Sequence, residues 1–184
     1  KAVETAWPYL EDSDRLIRWA ARTAIEHQPT ETWADKALSD PNPATQVEAL
    51  LALTRVTGTC PQHRNDQTGP IDLEMRGQLL SALLAVDPSK LSHAQKLALY
   101  RTLQITLVRF GRPDSATVTS LIEKFDPLFP ADTFEQNWLL CETLAWLQSP
   151  TVAAKAMDLI AAASTQEEQL QFARSLRMLK TGWT

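Results

Sequence analysis

Apolar and polar positions near the start of this chain recur at a fixed interval. Leu10-Glu11-Asp12 leads into an apolar stretch over 19–25, and Leu38-Ser39-Asp40 leads into another over 47–53. Asp12 and Asp40 set the offset at 28 residues, which also places Ala21 on Ala49, Ala24 on Ala52 and Ile25 on Leu53. A repeat of this length marks a helical solenoid, in which a helix pair buries its apolar face only against its neighbours. Within the first repeat, Leu16, Trp19, Ala20 and Thr23 share one side of a helix, and Ile17, Ala21, Ala24 and Ile25 the adjacent side.

The same period of 3.6 predicts about nine helices along the chain. Asp12 or Ser13 caps the first, which runs to about Gln28 and is stopped by Pro29. A short helix carries Trp33, and the next starts in the Asp40-Pro41-Asn42-Pro43 turn, where a first-turn proline loses no hydrogen bond. A polar loop spans 58–70, and helices then cover about 71–86 and 92–110, the second capped by Ser92. Gly111-Arg112-Pro113 and 126–130 are breaks, with a helix between them. The helix from Phe134 carries Trp138, Cys141 and Ala145 on one side, and Asn137 within it should bond a loop carbonyl. Ser149-Pro150 opens another helix; Leu147 and Ser149 repeat Leu38 and Asp40, each 109 residues on. Thr165 and Glu168 read as a capping box for a last helix with Phe172, Leu176 and Leu179 inward. The fold class is therefore all-α: a HEAT-like α-α superhelix of antiparallel pairs, taken as one domain over 1–184.

Composition sharpens this picture. Among 184 residues, 44% are hydrophobic and 22% charged, which suits a packed domain rather than disorder. Five glycines and few alternating β-branched runs argue against a sheet. A net charge of −4 gives no general attraction to nucleic acid or an anionic membrane. No apolar run has the roughly 18 residues of a membrane span, so membrane insertion is not expected. Cys60 and Cys141 read as two free thiols, one in a loop and one in the core. The six tryptophans read mostly as packing residues.

The short repeats, with Asp-Pro at the turn and Ala/Leu-rich second helices, resemble HEAT repeats. A more specific succession follows in the second half. Arg109-Phe110-Gly111-Arg112-Pro113 precedes Asp126-Pro127-Leu128-Phe129-Pro130, then Asn137-Trp138-Leu139-Leu140-Cys141 and Leu147-Gln148-Ser149-Pro150. It closes with Thr165 to Gln169, Ala173, Leu176-Arg177, Leu179-Lys180 and Gly182-Trp183-Thr184. This succession resembles the α-helical segment of large secreted bacterial multi-domain proteins. In that family a β-propeller-like, dehydrogenase-like part precedes the helical segment and a c-type haem domain follows it. The resemblance implies a secreted or periplasmic setting and neighbouring domains, or another protein, as partners. Haem attachment needs Cys-x-x-Cys-His, and Cys60-Pro61-Gln62-His63 offers one thiol. No cofactor and no catalytic residue is therefore assigned to this segment.

Cys60 and His63 supply two of the four ligands zinc takes, with Cys141, His27 and His93 scattered. Glu26-His27 invites comparison with HEAT-like di-iron hydroxylases, but one pair cannot hold two irons. Arg15, Arg18 and Arg22 form a stripe like that of HEAT-like DNA glycosylases, yet Glu11, Asp12, Asp14 and Glu26 surround it. A mixed face with intrahelical ion pairs is the expectation there. What remains is a scaffold or docking role, with Arg174, Arg177, Lys180 and Trp183 as the candidate surface. The opening at Lys1 and the closing Gly182-Trp183-Thr184 suggest a piece of a longer chain. On that reading Ala2, Val3, Trp7 and Trp183 should be partly exposed, because uncapped solenoid ends show apolar surface.

Overall fold

Ten α-helices and five short 3-10 segments make up the computed structural model, which describes residues 1–183; Thr184 lies outside them. No strand occurs among the described residues. The all-α expectation holds, and nine of the helices fall where the hydrophobic period places them. The tenth is α1 (Ala2–Ala6), a single turn and a half ahead of the first repeat. The chain divides into two compact units, Lys1–Pro113 and Asp114–Thr184, each taken by itself.

In the first unit α1 is followed by a 3-10 segment (Trp7–Glu11), α2 (Arg15–Glu26), α3 (Ala34–Ser39), α4 (Pro43–Thr57), α5 (Leu73–Ala85) and α6 (His93–Phe110). The 28-residue repeat is built into its turns. Asp12 Oδ1 accepts from the Asp14 N–H at 2.8 Å, and Asp14 Oδ1 accepts from the Leu16 N–H at 2.7 Å. One repeat later Asp40 accepts from the Asn42 N–H at 2.9 Å, and Asn42 from the Ala44 N–H at 3.0 Å. Two side-chain oxygens in tandem thus bend the chain and satisfy the first free N–H groups of α2 and α4. The cap of α2 is Asp14, not Asp12 or Ser13, because Asp12 is engaged in holding the turn before it.

α4 is the middle of this unit and packs on α2, α3, α5 and α6. It is buried nearly all round, polar positions included. Thr54 and Thr106 meet in the α4–α6 contact at 3.0 Å with both side chains fully buried. Thr106 donates to the Thr102 carbonyl at 2.9 Å, so the Thr54 hydroxyl is the donor between them. Gly58 ends α4 where a side chain has no room. A Cβ there would sit 2.5 Å from a ring carbon of Phe110 and 2.9 Å from the Thr54 carbonyl. Gly58→Ala is therefore expected to cost about 2–3 kcal/mol, read as a lower urea midpoint at unchanged slope.

α2 differs from its sequence reading. Ala21 and Ile25 are buried, but Leu16, Ile17 and Trp19 are 64%, 42% and 56% exposed. Only the short α1 lies near that side of the helix, and it leaves most of it open, where the repeat would place an earlier neighbour. The tryptophans also divide: Trp7 and Trp33 are core, whereas Trp19, Trp138 and Trp183 are substantially exposed. Trp7 corrects the expectation of an exposed end. Its indole N–H donates to Asp40 at 2.8 Å, and the Lys36 ammonium lies 4.3 Å from its ring centre. Ala2 and Trp183 are exposed and Val3 half-buried, as expected.

The second unit comprises α7 (Ser115–Phe125), a 3-10 segment (Asp126–Leu128), α8 (Phe134–Leu147), α9 (Val152–Ala162) and α10 (Gln166–Leu176). α8 lies against α7, α9 and α10. Asn137 does bond the loop before its helix: its amide donates to the Ala131 carbonyl at 2.9 Å and accepts from the Ala131 N–H at 2.6 Å. The Ser149 turn repeats the Asp40 geometry, its hydroxyl accepting from the Thr151 N–H at 3.4 Å. Thr165 caps α10, but Glu168 reaches Ser164 rather than closing the box on Thr165. Ser92 and Gln95 form the complete box, at the start of α6.

Candidate functional site

The candidate docking residues lie at the end of α10. Its inward stripe, Phe172, Leu176 and Leu179, is buried as the period predicts. Leu170, Arg174 and Arg177 follow at helical spacing on the other side, so they share a face. All three are exposed, as are Met178, Lys180 and Trp183. No ion pair joins Arg174, Arg177 or Lys180 to a carboxylate among the described residues. They are three of the five Lys and Arg residues between 114 and 184, against nine Asp and Glu. Leu170 and Met178 were not legible as part of this face, since they fall off the apolar stripe that the period detects.

Gln148 positions the end of the chain. It occupies the left-handed region at φ 66°, closing α8. Its amide donates to the Met178 carbonyl at 3.0 Å and accepts from the Lys180 N–H at 2.8 Å. The Trp183 indole donates to the Leu179 carbonyl at 3.0 Å. Gly182, at φ 74°, lies so close to the Pro150 carbonyl that a Cβ would collide with it. The tail carrying Met178 and Lys180 is thus tied to the end of α8 by the Gln148 side chain.

The other sequence candidates are not brought together. The arginine stripe on α2 is mostly committed to ion pairs, and these run largely between helices rather than within one. Arg22 Nη1 meets Glu48 at 2.9 Å and Arg18 Nε meets it at 3.4 Å, both reaching from α2 to α4. Glu26 joins Arg22 at 3.4 Å along α2 and Arg55 of α4 at 2.8 Å. Sequence spacing shows only the i, i+4 member of this chain. Arg64 and Arg109 point at carbonyls: Arg64 at that of Arg109, and Arg109 at those of Arg55 and Gly58. No cluster of three or more His, Cys, Asp or Glu groups suited to a metal occurs among the described residues. No described helix is long and apolar enough to cross a membrane.

Both thiols are free. Burial pushes Cys141 up to about 12, only partly offset by its hydrogen bond with Ser175. Since the thiolate is the reactive form, Cys60 should react with a thiol reagent such as DTNB in the folded protein, and Cys141 only after denaturation. Counting one thiol in buffer and two in guanidinium checks this.

Comparison of the chain with protein-family models, curated proteins and solved structures returns no match.

Proposed function

We propose that this chain is a non-catalytic scaffold and docking module, a HEAT-like solenoid that presents the end of α10 to a protein partner. The observation that carries the reading is the cationic cluster of Arg174, Arg177 and Lys180. It is exposed, unpaired with acid among the described residues, and bordered by Leu170, Met178 and Trp183. A mixed basic and aromatic surface is the composition that protein interfaces favour, and a surrounding acidic unit restricts the attraction to one patch. The partner is an acidic surface of a neighbouring domain or of another protein. On the resemblance of the second half, the setting is a larger secreted or periplasmic haem-containing redox protein.

The test uses an acidic probe, a peptide of alternating Glu and Leu, titrated into the intact protein. Binding that weakens with salt and is lost on Arg174→Glu with Arg177→Glu is the expected result. Binding indifferent to both changes would refute it. The enzymatic and nucleic-acid alternatives are met in the same preparation, purified without chelator. Stoichiometric iron or zinc, or salt-sensitive binding of duplex DNA, would replace the docking reading with a catalytic or DNA-handling one.

A further inference from the structure

An open apolar groove of about 730 Å³ lies between α1 and α2, within the first unit. Ala2, Ala6, Tyr9, Ile17, Ala20 and Ala24 line it, and Lys1 is its only charged wall. The 28-residue repeat says what kind of element covers such a face. α2 and α4 are the same helix in successive repeats, with caps Asp14 and Asn42 in register. Glu48 and Arg55 carry the ion pairs of α4 to α2, so they mark the side of α4 that looks toward the preceding repeat. One repeat earlier those positions are Ala20 and His27, on the open side of α2. The α4 residues Thr45, Glu48, Ala49 and Ala52 are all buried. Of their counterparts Ile17, Ala20, Ala21 and Ala24, only Ala21 is. The repeat register and the exposed apolar surface thus coincide on the same side of α2.

We infer that this groove is a docking slot for the helix of a further helical pair, packed on α2 as α2 packs on α4. The slot sets the chemistry of its occupant. Where Glu48 receives Arg18 and Arg22, α2 offers Ala20. An arginine docked there would be buried without a counter-charge, which strongly disfavours it. The occupant is an amphipathic helix with uncharged apolar side chains at the two positions where α2 itself carries arginine. Small residues at 20 and 24 let the two backbones approach closely, and Ile17 and Tyr9 bound the slot at its sides.

The test removes two charges from the occupant and adds one to the slot. Two hydrocarbon-stapled helical peptides are made from residues 13–28, one native and one with Arg18→Leu and Arg22→Leu. Each is titrated into the intact ¹⁵N-labelled protein and into its Ala20→Glu variant, whose site is exposed and whose fold is checked by circular dichroism. The Leu peptide should bind the unaltered protein about tenfold more tightly than the native one, with shifts confined to amides of 2–9 and 17–24. Ala20→Glu should reverse that preference, recreating the Glu48 arrangement. Equal affinities whatever residue stands at 20, or no binding of either peptide, would overturn the inference. Sedimentation showing that a second copy already occupies the groove would overturn it equally.

Discussion

Trp33→Ala is expected to destabilise the first unit by about 3–5 kcal/mol, among the largest effects of any single change in this chain. Trp33 is 1% exposed and stands in the turn between α2 and α3, where its backbone begins α3. Its indole N–H has only a long contact, 3.4 Å to the Gln28 carbonyl, so its contribution is volume rather than a hydrogen bond. Removing the ring leaves a cavity that short α3 cannot close by moving, since α3 is already packed on both α4 and α5. Trp33→Phe keeps most of the volume and should cost less than half as much. Urea denaturation of both variants checks the order. Equal losses would mean that the indole N–H, not packing, is what matters there.

Asp126→Ala should cost about 2–4 kcal/mol in the second unit, because it takes the carboxylate from three donors and leaves Lys155 only the main-chain carbonyl of residue 126. Asp126 Oδ1 accepts from Ser149 at 2.7 Å and from Thr151 at 2.5 Å, and Oδ2 from the Lys155 ammonium at 2.6 Å. Ser149 is fully buried, so its hydroxyl has no water to turn to. This one carboxylate ties the end of α7 to the start of α9. Burial by itself would raise Asp126, but the bonds from Lys155, Thr151 and Ser149 outweigh it and hold the carboxyl below its ordinary value. The sign follows by linkage: a group whose folded-state value is depressed contributes fully above its unfolded value of about 3.9, and that contribution is lost as pH falls through the folded value. The stability difference between the natural protein and Asp126→Asn should therefore be constant from pH 7 to about 5 and shrink below pH 4. A difference that grows on acidification would contradict this assignment.

The repeat, the all-α class and nine helices were legible in the sequence because each rests on local order: a 28-residue register, a 3.6-residue period and side-chain caps. Asn137 was legible for the same reason, as a polar residue on an apolar face that needed a partner six residues away. What was not legible lies across the fold. The period assigns a helix two apolar sides but cannot say whether a neighbour exists for each, so Leu16 and Trp19 of α2 fall on an apolar side and are nonetheless exposed. Trp7 read as a loose end because its partner, Asp40, is 33 residues on. The ladder from Arg18 through Glu48, Arg22 and Glu26 to Arg55 needs α2 and α4 side by side before it can be seen. At the candidate surface the cations were visible as a cluster, whereas Leu170, Met178 and the clamp made by Gln148 emerged only once α10 had a direction.

Amide hydrogen exchange on the intact protein tests the central claim most directly, because it reads helix by helix which flanks are covered. The account predicts that α4 exchanges most slowly in its unit and that α2, left partly open beside α1, exchanges markedly faster along Leu16–Ala24. Protection of α2 equal to that of α4 would contradict it.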